Sequence, residues 1–127
     1  MDSSHRKALV EAFIEAYNSF DIEGMIALLH PQCRFWNVSD NEVNASADGP
    51  TQFRELAEQS AQMFSAREQR ITGFRDEGET ISVDIDYEGV LAVDVPDGPR
   101  AGDLVQLQGQ SIYELRDGLI YRLTDHS

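Results

Sequence analysis

Asp84, Asp86 and Glu88 alternate along a short run ending in Gly89, the spacing with which the first half of a calcium loop presents oxygen ligands. Such a loop needs a bidentate Glu at its twelfth position, where this chain has Val95, and helices on both flanks. The flanking residues alternate as a strand does, so these acids are expected on a solvated sheet face and no metal site is read. His5, His30 and His126 share no ligand spacing, and the single cysteine, Cys33, excludes an internal disulfide or a cysteine-based zinc site. Cys33 itself reads as a small core hydrophobe. Asn37-Val38-Ser39 and Asn44-Ala45-Ser46 match the glycosylation triplet, but residues 1–20 carry no secretory apolar run, so both are taken as chance matches. No glycine-rich phosphate loop, nucleophile elbow or zinc-protease helix occurs. Asp125 remains. Facing an apolar concavity, its carboxyl pKa would rise by desolvation and make it a proton shuttle near neutral pH; at an open strand end it would only cap the chain.

The elements that must position Asp125 divide the chain in two. Over residues 4–19, Leu9, Ala12, Phe13, Ala16 and Tyr17 recur at helical spacing opposite Lys7, Glu11 and Glu15, with Ser3 or Ser4 available as N-cap. Asp21 caps a second short helix through Met25 and Leu28, which Pro31 is expected to end. Residues 33–38 read as a strand and 39–48 as a polar loop. Asp48-Gly49-Pro50 opens a third helix that runs to about Phe64, with Pro at a tolerated first-turn position. From residue 67 the period changes from 3.6 to 2, giving strands over 67–75, 80–93, 104–115 and 119–126. Helices first and a meander after them is α+β order.

Alternation then assigns faces. Ile81, Val83, Ile85 and Tyr87 share one side of their strand. Val105, Leu107, Gly109, Ser111, Tyr113 and Leu115 share one side of the next, and Leu119, Tyr121, Leu123 and Asp125 one side of the last. These sides must cover the helices. Phe13, Tyr17, Leu28, Phe53, Ile85, Leu107, Tyr113 and Leu123 are therefore expected to be largely buried.

Composition limits partners. With 23 acidic and 10 basic residues among 127, the formal charge is −13. A surface this acidic repels phosphate backbones and anionic membranes, and no Lys/Arg cluster offers a nucleic-acid stripe. No run of 18 apolar residues provides a spanning helix, so a cytoplasmic protein is the default expectation. Apolar residues make up 41% of the chain, enough for one domain with its own core.

The order of these pieces resembles a known family. Ala8–Asn18 and Asp21–Leu29 as paired helices, a strand, the helix opened by Asp48-Gly49-Pro50, and a meander ending in Asp117-Gly118 through Asp125 are similar to the nuclear-transport-factor-2-like cone fold, and within it the SnoaL-like group. The resemblance spans nearly the whole chain. It implies an α+β cone, a single domain over 1–127, in which three N-terminal helices pack on a curved antiparallel or mixed sheet around a pocket. Many members are homodimers through the outer sheet face, here Gln106, Gln108, Gln110 and Ile112, a stretch free of charge. Ketosteroid isomerases of this fold use an Asp base, a Tyr and a neutral Asp. By alignment those positions fall on Asn37, Phe13 and Ser111, so that isomerase chemistry is not expected. SnoaL-like polyketide cyclases rely on a late-strand Asp, matched by Asp125. The epoxide-hydrolase branch needs an Asp–Arg–Asp set, for which only Asp125 and Arg67 are at hand.

The expected site is thus a pocket for a small apolar or carbonyl ligand, without metal or cofactor. Asp125 is the acid/base and Asn37 and Tyr113 are donors to a developing oxyanion. Phe13, Tyr17, Phe35, Tyr87, Ser111 and Tyr121 are expected to line the pocket. A lyase, isomerase or cyclase activity, a non-catalytic binding pocket, and a dimeric interaction module are the three functions compatible with it.

Overall fold

The computed structural model describes residues 2–127. Two helices, α1 (Ser3–Asn18) and α2 (Ile22–Ile26), lead into β1 (Leu29–Ser39) and β2 (Glu42–Asp48). Helix α3 (Gly49–Met63) follows, and then β3 (Phe64–Asp76), β4 (Ile81–Leu91), β5 (Leu104–Arg116) and β6 (Leu119–His126). The six strands form one sheet in the order β2-β1-β6-β5-β4-β3. All neighbours are antiparallel except β1 and β6, which run parallel. The three helices cover one face of this mixed sheet, the cone architecture that the sequence implies.

Local chemistry sets the boundaries. Asp2, not Ser3 or Ser4, caps α1, its carboxylate accepting from the His5 amide at 3.0 Å. Asp21 caps α2 as expected, accepting from the Gly24 amide at 2.9 Å. That helix stops at Ile26, well before Pro31, because Leu28 and Leu29 are taken into the parallel pairing with β6: the Ile120 amide donates to the Leu28 carbonyl at 2.9 Å. Pro31 lies inside β1, where the register with β6 shifts between Leu29 and Arg34, and an irregularity of this kind tolerates a residue without an N–H.

The expected loop over 39–48 is instead mostly strand β2. Asp40 and Asn41 take φ values of 53° and 63°, the left-handed pair of a tight hairpin turn. The strand is an exposed edge in which only Ala47 is fully buried, so it has no apolar alternation to reveal it.

The core fills the space between the concave sheet face and the helices. Val10, Phe13, Ile14, Met25, Phe53 and Ala57 pack against Ile81, Val83, Ile85, Tyr113, Ile120 and Leu123. Cys33 is buried with them, and burial pushes its thiol pKa up. Asp84 and Glu88 lie on the opposite face and pair across to β3: Arg75 Nη1 donates to Asp84 at 2.9 Å, and Arg70 sits 3.7 Å from Glu88.

Three burial expectations are corrected. Leu107 shares the inward face with Tyr87, its register partner, yet is 51% exposed; it sits near the start of β5, in the wall of a cavity. Leu28 is only partly buried, the full burial falling to Leu29. Tyr17 also keeps some exposure, because it faces a cavity rather than solid core.

Candidate functional site

A cavity of about 370 Å³ opens between the concave sheet face and helices α1 and α3. Its apolar wall is an aromatic chain. Phe35 meets Phe53 edge to face at 5.4 Å between ring centres, Phe53 lies 6.0 Å from Phe13, and Phe13 meets Tyr113 edge to face at 6.2 Å. Contacts of this geometry are favourable beyond area burial, and they hold the wall in place.

The carboxylate enters from β6. Asp125 is the register partner of Asn37 on β1 and of Ser111 on β5, so the three side chains stand on adjacent strands of one face, with strand spacings of about 4.8 Å. Ser111, itself buried, donates its hydroxyl to Asp125 Oδ1 at 2.7 Å. Burial raises the Asp125 carboxyl pKa to about 6, against the opposing pull of Ser111 and His126. The end of β6 lies close against β5 at Gly109, where a Cβ would lie 2.5 Å from the His126 carbonyl oxygen. Only glycine permits this close approach.

Tyr113 is 1% exposed and lines the same cavity. Its phenol is raised well above the ordinary value, first by burial and then by the Asp125 charge, and no hydrogen bond from the protein offsets the rise among the described residues. Asn37 also faces the cavity, with one of its amide hydrogens donated to Asn44 Oδ1 at 2.8 Å.

Of the residues expected at the site, Asp125, Asn37, Tyr113, Phe13, Tyr17, Phe35, Tyr87 and Ser111 all line the cavity. Tyr121 does not. The β5–β6 register shifts between Glu114 and Leu115, so Ile120 pairs with Leu115 and takes the buried position. This bulge turns Tyr121 away to pack on His30, 5.3 Å between ring centres, with the Arg116 guanidinium 3.9 Å above its ring.

A second polar group, not among the expected site residues, stands on the cavity wall. Arg67 of β3 is 6% exposed and lines the cavity. Its Nε donates to the Tyr17 carbonyl at 2.9 Å, and its guanidinium lies 3.7 Å from the centre of the Tyr17 ring and 4.3 Å from that of Phe20. Close by, the Tyr17 and Tyr87 hydroxyls share a hydrogen bond of 2.9 Å, and burial raises both phenols. A signal for Arg67 exists: it is in phase with Ile71 along the strand and therefore on the inward face. Among the described residues no cluster of three or more His, Cys, Asp or Glu side chains could hold a metal ion, and no helix is long and apolar enough to cross a membrane.

A cone whose helices and concave sheet enclose an aromatic cavity with an internal acid belongs to the nuclear-transport-factor-2-like class of α+β folds. Residues 10–123 match the family model for the SnoaL-like domain, and the chain belongs to that family. No curated protein matches it by sequence. Solved structures agree over nearly the full length. A protein from Xanthomonas campestris pv. campestris, provisionally assigned as a polyketide cyclase, is 24% identical with a TM-score of 0.79, covering 98% of this chain and 90% of its own. A SnoaL-like protein from Jannaschia sp. CCS1, provisionally assigned to the same activity, is 15% identical with a TM-score of 0.81, covering 96% and 84%. TerC, co-crystallised with polyporic acid, is 16% identical with a TM-score of 0.76, covering 95% and 89%. At these identities the likeness is one of fold.

Proposed function

We propose that the cavity binds a small, largely apolar carbonyl compound and that Asp125 moves a proton on the carbon next to its carbonyl. The observation that carries this reading is the pairing of Asp125, with a carboxyl pKa near 6, with the unpartnered Tyr113 hydroxyl in one apolar cavity. At neutral pH the carboxylate is the dominant form, so it serves first as base. It takes the proton from the α-carbon and the electron pair shifts to the carbonyl oxygen. Tyr113 and the free amide hydrogen of Asn37 donate to the resulting enolate oxygen. Return of the proton to a different carbon gives an isomer; attack of the enolate carbon on a second carbonyl of the same molecule closes a ring, and the proton held by Asp125 passes to the new alkoxide oxygen. Ser111 holds Asp125 in orientation. The provisional cyclase assignments of two structural neighbours, and the small molecule bound by TerC, agree with this use of the fold.

Solvent-deuterium incorporation into a panel of cyclic and aryl ketones, followed by proton NMR, tests the proposal. The protein is expected to accelerate exchange at the α-carbon of at least one panel member, and Asp125→Asn is expected to reduce that rate by about 10²- to 10⁴-fold. Exchange that survives in Asp125→Asn would remove the carboxylate from the mechanism. Binding without exchange would leave a ligand-binding cavity alone.

We also propose a homodimer through the outer sheet face. Gln106 and Gln108 are exposed there and Ile112 half-buried, an uncharged strand whose neighbours on β4 are Glu88, Asp86 and Asp84. Sedimentation at tens of micromolar should give twice the chain mass; a monomer would end the proposal.

A further inference from the structure

We propose that Arg67 makes the cavity selective for ligands carrying an anionic oxygen group, such as a carboxylate or sulfonate, on an apolar body. The inference rests on the reading of the cavity as a small-molecule site, but not on proton transfer by Asp125.

Arg67 is a buried cation without an acid. No carboxylate approaches it within ion-pair distance among the described residues, although the chain holds 23 of them and pairs Arg6, Arg34, Arg54, Arg70, Arg75 and Arg122. The protein satisfies only part of the guanidinium. Nε is well bonded to the Tyr17 carbonyl, Nη1 reaches Ser60 Oγ at a long 3.4 Å, and Nη2 has no partner. The Tyr17 carbonyl lies in the last turn of α1, whose negative dipole end offsets a fraction of the charge. The Tyr17 and Phe20 rings offset a further part through their faces.

What remains is the Nη1–Nη2 edge, the side of the fork that matches two oxygens of one anion. A purely structural clamp on α1 needs Nε alone. A buried charged donor left without an acceptor is costly, so an incoming oxyanion gains the full value of completing it. Nη2 has no surface open to water, so the ligand must displace a neighbouring side chain; Ser60, whose contact with Nη1 is long, lies next to the edge to be opened. The Tyr17–Tyr87 pair consumes one of its two O–H hydrogens internally and leaves the other available nearby. The net charge of −13 repels anions at long range, so any preference for an anionic ligand must arise locally.

Two fluorescent probes of one scaffold separate charge from apolar burial: 8-anilinonaphthalene-1-sulfonate and its neutral parent N-phenyl-1-naphthylamine. In titrations of the intact protein at neutral pH, the sulfonate is expected to bind about tenfold tighter or better, and to be displaced by the neutral probe. Raising salt to about 1 M should change its affinity less than threefold, because a buried pair is poorly screened. Arg67→Met should erase the preference, the sulfonate losing at least about fivefold more affinity than the neutral probe. If Arg67→Met does not fold, Arg67→Lys, which keeps the charge but loses the fork, is expected to cut the preference by half or more. Equal binding of the two probes, or an equal loss of both in the Arg67 variant, would overturn the inference and leave Arg67 a structural clamp. If the neutral probe binds and the sulfonate does not, this inference alone fails; if neither binds, the cavity reading fails with it.

Discussion

Asp125 and Arg67 are both ionisable groups on the wall of one cavity, but the protein holds them by different means. Asp125 comes from β6 and Arg67 from β3, three strands further across the sheet. The carboxylate is given one hydroxyl, from Ser111, and little else, so burial wins and its pKa rises to about 6. The guanidinium is given a helix-end carbonyl and two aromatic faces, and arginine as a residue type is a permanent cation. One end of the cavity is therefore tunable by protons and the other is not. A group kept near its titration point suits proton movement, whereas a permanently charged group suits recognition.

The largest effect on stability should come from the permanent charge. Arg67→Met removes the bond to the Tyr17 carbonyl and both ring contacts, which together join the end of α1 to β3. A loss of about 2–4 kcal/mol is expected in urea unfolding, nearly constant between pH 5 and 8 because arginine does not titrate there. A loss that varied strongly over that range would show that the two ends are coupled.

Removing the other charge should have the opposite sign. The Asp125 carboxyl pKa is raised on folding, so the folded state disfavours the ionised form. The associated stability is complete below the unfolded value near 4 and is lost as pH rises through about 6. Asp125→Asn, which keeps an oxygen for Ser111, should therefore stabilise the protein by about 2–3 kcal/mol at pH 8. The gain should shrink to about half by pH 5 and vanish below about pH 4. Destabilisation at pH 8 would mean that the carboxylate makes a compensating contact.

Next in size is Gly109→Ala. Its methyl would meet the His126 carbonyl at 2.5 Å, backbone against backbone, so the end of β6 must move. About 1–3 kcal/mol of stability should be lost, and the Asp125 titration, followed by carboxyl NMR, should fall back toward 4 as the strand end opens. An unchanged titration would show that the close approach at Gly109 does not position the acid.

How much of this was legible beforehand follows the same contrast. Asp125 is readable because β5 and β6 pair without a shift from Arg122 to His126, and counting by twos from Leu123 puts it inside. Tyr121 was misplaced by that same count, since the bulge at Glu114–Leu115 inserts one residue and reverses parity, and no residue type there announces it. Strand β2 was missed because an exposed edge strand carries no apolar pattern; its Asp40-Asn41 turn was the only local sign. Helix α2 is shorter than Pro31 alone would make it, because pairing of Leu29 with β6 sets its end. Arg67 was in phase with Ile71, but composition gives a cation at an inward position no weight until its surroundings are seen.

The smallest stability effect belongs to Leu107, and it separates face from depth. Leu107 and Tyr113 share one side of β5, yet one is 51% exposed and the other 1%. Alternation fixes which way a side chain points; it does not fix whether a helix lies above it. Tyr113 stands under α1, edge to face with Phe13, while Leu107 lies six residues further toward the strand's start, beside Tyr87 in the cavity wall. Since about half of its surface already meets water, Leu107→Ala should cost under about 1 kcal/mol in urea unfolding, against the several expected of a solid core leucine. Binding should report what unfolding does not. A ligand in the cavity covers the exposed half of the side chain, and losing that area is worth roughly 1 kcal/mol, a fall of about fivefold in affinity for N-phenyl-1-naphthylamine. A variant weakened in stability by 2 kcal/mol or more, with unchanged probe affinity, would place Leu107 in the core and move the cavity mouth elsewhere.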